Sequence, residues 1–244
     1  MSPSNDNGRR DFLRRSIALV PATAALGVAG AATAADPGKP AAAANPATPA
    51  GPYTPTYFNA IEWAFIEAAV ARVIPSGDDG PGAIEAGVPE FIDRQMDTAW
   101  GHGSLWYMHG PFAPDASPLF GHQSPMPPRE VYRASIAAVN AWCRIEHGDK
   151  IFAQLDPSAQ DEVLKGLEAG SVNLAGVSGK MFFGFLLQNT KEGYFSDPIH
   201  GGNKNAAAWA MIGFPGARAD YLDWVGRPGE RYPLPPVTIA GPQG

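Results

Sequence analysis

Side chains able to do chemistry are sparse in this chain, and their tightest grouping lies in Gly193-Tyr194-Phe195-Ser196-Asp197-Pro198-Ile199-His200-Gly201-Gly202-Asn203-Lys204-Asn205. Asp197 and His200 stand three residues apart there, a carboxylate and an imidazole that could serve as orienter and base of a hydrolase. No Gly-x-Ser-x-Gly elbow accompanies them, so the nucleophile of such a set is missing. His102, His109 and His122 invite a metal enzyme instead. None of the three sits at helical i, i+4 spacing, and no His-Glu-x-x-His occurs, which favours packing residues with polar tips. Asp78 and Asp79 lie in a Gly-rich turn without the alternating oxygen ligands and closing glutamate of a calcium loop, and read as a solvated turn. Cys143 falls on an apolar helical face, where a small core residue is expected rather than a thiolate nucleophile.

Redox chemistry has even less to work with. There is no Gly-x-Gly-x-x-Gly following a strand, no Gly-x-x-x-x-Gly-Lys-Ser/Thr, and no Cys-x-x-Cys-His. A single cysteine cannot hold an iron–sulfur cluster. Catalytic, cofactor and metal sites are therefore all expected to be absent from this chain. If it serves a dehydrogenase, another polypeptide carries the hydride and electron steps.

The segment 193–205 still demands a shape. Asp197-Pro198 favours an Asx-type turn, and Gly201-Gly202 are expected to supply positive φ where a side chain would clash. It lies between two apolar runs, 181–187 and 206–216, the second holding Trp209. Two readings stay open. In one, Asp197 caps its own turn while Tyr194, Phe195 and Ile199 pin the loop to the core. In the other, Tyr194, Phe195, Asp197, Pro198, Gly201, Gly202, Asn203 and Trp209 belong to a surface that docks a partner, together with the aromatic segment 100–112 and the Pro-rich tail.

The elements that must position this loop read as helices, with little evidence of strands. Thr54 or Thr56 is expected to cap a first helix reaching Val73, with stripes Phe58/Ile61/Phe65/Ala69 and Trp63/Ile66/Val70/Val73. A short helix follows from Pro89 to about Thr98. The stretch from Gly101 to Pro128 is irregular, long enough to suggest a functional or partner-bound loop. Glu130 to His147 forms a helix ended by Gly148, with Val131, Ser135, Ala138, Trp142 and Ile145 beside Tyr132, Ile136, Val139 and Cys143. His147 suits the negative end of its dipole. Asp156-Pro157 opens another helix that Gly170 closes. Ser178 precedes a segment through Leu187 that is apolar on every side and too short for a membrane, the expected central helix. The fold class is mainly α, a single helical domain with long irregular loops.

The ends are of a different character. Arg9-Arg10 before Phe12-Leu13, followed by a mildly apolar run from Ile17 to Ala32 and small residues at Ala32-Thr33-Ala34-Ala35, read as a twin-arginine export signal. The expected organisation is a signal over 1–35, a Pro/Ala-rich linker over 36–55, a helical domain over 56–225 and a Pro-rich tail over 226–244. Removing 1–35 takes away four arginines and two aspartates, leaving 14 basic and 22 acidic residues and moving the formal charge from −6 to −8. So acidic a chain, without a basic cluster, is no partner for nucleic acid. Export would place it in the periplasm, where one cysteine can form no internal disulfide.

The twin-arginine leader, a helix ending Val73-Ile74-Pro75 before an acidic Gly-rich turn, and above all Gly193 to Asn203 with Trp209 and Ile212-Gly213-Phe214-Pro215-Gly216 resemble the gluconate 2-dehydrogenase subunit 3 family. The similarity extends from Arg9 to Val225. It implies a small subunit of a bacterial membrane-bound sugar, sugar-acid or polyol dehydrogenase. In such a complex FAD sits in a large subunit, electrons leave through a multihaem cytochrome c subunit, and membrane attachment comes through the partners. The resemblance further implies that the small subunit carries the leader for the twin-arginine machinery and supports export and maturation of the flavoprotein. Outside that family, the residues leave an exported hydrolase or metal enzyme, or a free-standing periplasmic binding protein, as alternatives.

Overall fold

In the computed structural model residues 53–114 and 116–242 are described. Among them are six α-helices: α1 Ala60–Val73, α2 Val88–Gln95, α3 Pro128–Glu146, α4 Pro157–Ala169, α5 Gly179–Phe195 and α6 Ala207–Ile212. Short 3-10 turns join them, and the only paired strands among the described residues are the two-residue β1 Val237–Thr238 and β2 Gly241–Pro242. The mainly α class expected from the sequence is what the structure has. The expected export signal over 1–35 and most of the expected linker, through residue 52, lie outside the described residues.

Helix α5 is central, packing against α1, α2, α3, α4 and α6. Its buried stripe is Phe182, Leu186, Asn189, Thr190, Gly193 and Tyr194. Phe182 meets Phe65 of α1 at 5.9 Å and Tyr132 of α3 at 5.5 Å between ring centroids, and Phe65 meets Phe152 at 4.6 Å. Each such ring, fully withdrawn from water, contributes about 1.5–3 kcal/mol. The expected burial on every side is only partial, because Gly184 is exposed and Phe183, Phe185 and Leu187 are half-buried. The helix also runs two turns beyond Leu187, so Gly193, Tyr194 and Phe195 are helical and the loop proper begins at Ser196.

Local signals located some helix ends and missed others. Asp156 caps α4 by accepting from the Ala159 amide at 3.0 Å, and Gly170 closes it in the left-handed region. Ser178 caps α5 through the Met181 amide. Helix α1 begins later than expected: Asn59 is its N-cap, completing a capping box with Glu62, and Thr56 lies upstream. The reason is tertiary. Thr56, Tyr57 and Phe58 all direct their amides to the carboxylate of Asp93 on α2, which draws residues 53–58 out of the helix path.

Helices α2 and α3 instead begin and end slightly earlier than expected. Helix α2 starts at Val88, after Gly87 in the left-handed region, and ends at Gln95 rather than Thr98. Helix α3 starts at Pro128, with proline tolerated in its first turn, and ends at Glu146. Ile145, assigned to an apolar stripe from the sequence, is exposed, whereas Val131, Tyr132, Ser135, Ile136, Val139 and Cys143 are buried. The helix is rolled so that a single face serves the core.

Cys143 is a core residue with no exposed surface, and burial pushes its thiol up to about 11. Alkylation at pH 8 is accordingly expected only after denaturant is added. Rapid labelling of the native chain would show a reactive thiol instead. Cys143→Ser should leave the fold intact at a cost of about 1–2 kcal/mol, read by denaturant titration.

Candidate functional site

The loop after α5 is built by a set of side chains that satisfy its own backbone. Asp197 accepts from the Ile199 amide at 3.1 Å, opening the turn Pro198–His200, and Gly201 closes that turn at φ +94°. Asn203 is completely buried at φ +44°, and it is the keystone. Its Nδ2 donates to the Ser196 carbonyl at 2.9 Å while its Oδ1 accepts from the Ala208 amide at 3.0 Å, tying the end of α5 to the start of α6. Trp209 donates from Nε1 to the Phe195 carbonyl at 2.8 Å, satisfying a carbonyl that the end of α5 leaves open. Tyr194 donates from its hydroxyl to the Pro81 carbonyl at 2.6 Å, and burial raises its pKa.

Gly201 and Gly202 are needed for different reasons. Only Gly201 has positive φ, contrary to the expectation for the pair. Gly202 is required because a Cβ there would collide with the carbonyl of Gly193. Gly193 itself lies against the ring of Phe91, with no space for a side chain between α5 and α2.

The loop docks on α2 through charge as well as packing. Glu90, nearly buried, pairs with Lys204 at 3.0 Å and with Arg94 at 2.5 Å, while the Lys204 amide donates to the Ala86 carbonyl at 3.1 Å. Neither Glu90 nor Lys204 was singled out by sequence reasoning. A Glu-x-x-x-Arg spacing on a short helix is too common to signal that a distant lysine completes it.

The side chains left facing outward are apolar. Phe195, Ile199, Met211, Ile212, Phe214 and Ile239 are each between 42% and 70% exposed. Phe195 and Ile199 therefore do not pin the loop to the core; Tyr194, Asn203 and Trp209 do. Tyr194, Phe195 and Met211 line an open groove of about 430 Å³ against Ile74, Pro75 and Pro81. The tail joins this face, because the second carboxylate oxygen of Asp197 accepts from the Ile239 amide at 2.8 Å. The aromatic segment does not. Trp100 and Trp106 pack on Phe185, about 15 Å along α5 from Phe195.

The histidines are dispersed. His102 is hydrogen-bonded to Arg129, and His122 contacts the Met126 carbonyl at 2.9 Å beside the ring of Trp106. His109 leans on Tyr107. Among the described residues no group of three or more His, Cys, Asp or Glu is arranged to hold a metal. Both oxygens of Asp197 are occupied by backbone amides, so it is not placed to orient His200, which is exposed.

The described residues form a helical domain whose loop after α5 satisfies its own backbone and is surrounded by exposed apolar side chains. Residues 60–216 match the family model Gluconate 2-dehydrogenase subunit 3, and the chain belongs to that family. The family is one of subunits of gluconate 2-dehydrogenase-like complexes. The match is narrower than the resemblance from Arg9 to Val225, leaving out both the leader and the tail. Searches of curated proteins and of solved structures gave no match. No helix among the described residues is long and apolar enough to cross a membrane.

Proposed function

We propose that this chain is the non-catalytic small subunit of an exported FAD-dependent dehydrogenase acting on a sugar, sugar acid or polyol. The observation that carries the reading is the family match over 60–216, whose C-terminal part is the loop and apolar face described above. The flavin belongs to a large subunit that docks on this face, and a multihaem cytochrome c subunit passes the electrons on. This chain supplies the twin-arginine signal of residues 1–35 for both itself and the flavoprotein. The coupling has a physical logic: a flavoprotein takes up its cofactor before export and must travel folded, so one signal on a tightly bound companion serves two chains. In the periplasm the complex is held at the membrane through its partners.

Affinity purification of the tagged full chain from its host tests the reading. A larger, yellow, flavin-bearing chain that oxidises a sugar or polyol with an artificial acceptor is expected to copurify. A colourless chain without a partner would overturn the subunit reading. Arg9→Lys with Arg10→Lys is expected to hold both this chain and the flavoprotein in the cytoplasm, followed by fractionation and immunoblotting. Continued export of the flavoprotein from that strain would overturn the escort role.

A further inference from the structure

Cys143 is sealed in the core, so the thioethers are the sulfur of this chain that solution can reach. Among the described methionines Met211 alone is exposed, at 42%; Met96 is buried, and Met108, Met126 and Met181 are half-buried. Met211 lies on α6 and lines the groove opposite Gly80 and Pro81. Gly80 packs so closely on the thioether that a Cβ at that position would collide with Sδ. The Tyr194 hydroxyl lies 3.9 Å from the same sulfur while giving its single proton to the Pro81 carbonyl at 2.6 Å.

That bond to Pro81 is one of few ties on the groove wall 75–81, whose residues 75–79 are exposed. The others are reciprocal bonds between the Gly77 and Gly80 backbones at 3.2 and 3.3 Å, Ser76 donating to Glu85 at 2.6 Å and, at the base, the Ala83 amide donating to the Ile74 carbonyl at 2.8 Å. A thioether is a weak acceptor and leaves the hydroxyl to Pro81. A sulfoxide is polar and its oxygen accepts well. An oxygen added to Sδ on the side of Tyr194 stands one bond nearer the hydroxyl, within hydrogen-bonding reach.

We infer that Met211 is an oxidation site through which hydrogen peroxide opens the groove: its sulfoxide takes the Tyr194 hydroxyl from Pro81 and frees the wall 75–81. The step balances with no further reactant. Sδ attacks one peroxide oxygen, and the S–O bond forms as the O–O bond breaks. The released hydroxide takes the proton from the new S–OH and leaves as water. Sulfur gives up two electrons and the peroxide accepts them. The new oxygen also places a polar group among Ile74, Pro75 and Phe195, which line the groove. The consequence for assembly rests on the subunit reading above: the large subunit meets an altered face, so the oxidised chain docks poorly. Once docked, the large subunit covers the thioether, and only unassembled chains are marked.

The test treats the purified full chain with hydrogen peroxide, removes the excess with catalase, and follows the gain of one oxygen by peptide mass mapping. Met211 is expected to oxidise at least about tenfold faster than Met96, whose sulfur is shielded, and equal rates overturn the inference. Hydrogen exchange then reads the wall. The Gly77 and Gly80 amides are expected to exchange at least about fivefold faster after oxidation, and unchanged exchange overturns the inference. Two variants assign the effect. Met211→Leu should not respond to peroxide, and Tyr194→Phe, with no hydroxyl to transfer, should exchange fast before treatment and no faster after it. A response surviving in either variant overturns the mechanism. Treated and untreated chains are last offered to purified flavoprotein. The treated chain is expected to capture severalfold less, while Met211→Leu captures the same amount before and after treatment. Equal capture by the two unaltered samples overturns the consequence for docking and leaves the subunit reading standing, whereas capture by neither fails that reading by itself.

Discussion

Gly202→Ala is expected to destabilise the protein by about 3 kcal/mol or more, lowering the thermal midpoint by about 6–12 °C for a domain of this size. The added methyl meets the carbonyl of Gly193, a backbone group inside a buried helix that cannot rotate away as a side chain would. Relief requires moving either α5 or the loop, and the loop is pinned by Asn203 at both ends. The displaced face is the one proposed to receive the large subunit, so copurification of the flavoprotein should fall as well. Gly213→Ala is the matched control. It has φ +72° but open space around it, and should cost only about 1–2 kcal/mol of backbone strain. Thermal melts of the two variants decide the point: a Gly202→Ala loss no larger than that of Gly213→Ala would show that the contact with Gly193 does not set the requirement at Gly202.

Asp93→Ala is expected to cost about 3 kcal/mol and to release residues 53–58 from α2. The carboxylate is wholly buried and accepts five hydrogen bonds: from the Tyr53 hydroxyl at 2.7 Å, the Thr56 amide at 2.8 Å and hydroxyl at 3.0 Å, and the amides of Tyr57 at 3.2 Å and Phe58 at 2.9 Å. Burial, with help from that bond to Asp93, pushes the Tyr53 hydroxyl up to about 12. The loss is held below the sum of five bonds because the freed amides regain water when the segment lifts off. Asp93→Asn should be nearly as damaging, since an amide replaces one acceptor oxygen with a donor facing other donors. Denaturant titration gives the stability, and hydrogen exchange at Thr56, Tyr57 and Phe58 localises it. Near-normal stability of the asparagine variant would show that packing, rather than acceptor capacity, holds the segment.

The two variants also mark the limits of reading this chain from its residues. Helix α4 was legible because Asp156-Pro157 and Gly170 are sufficient stop and start signals in themselves. The start of α1 was not, since the choice between Thr56 and Asn59 as cap is made by Asp93, 34 residues beyond Asn59 in the chain. The loop was recognised by its turn-forming residues, yet its boundary and the reasons for its two glycines were misplaced. Gly202 looks like a turn glycine in the sequence and is a contact glycine in the fold.

Composition and spacing determined that the chain is mainly helical, which segments are apolar and where its dense turn lies. These follow from periodicity and local backbone preference, which act over a few residues. Tertiary structure alone decided that Phe195 and Ile199 face outward, that Glu90 and Lys204 join across α2, that the histidines stay apart and that the tail closes on Asp197. Those outcomes depend on which helix faces pair and on which buried groups find partners far away in the chain, and no local pattern carries that information.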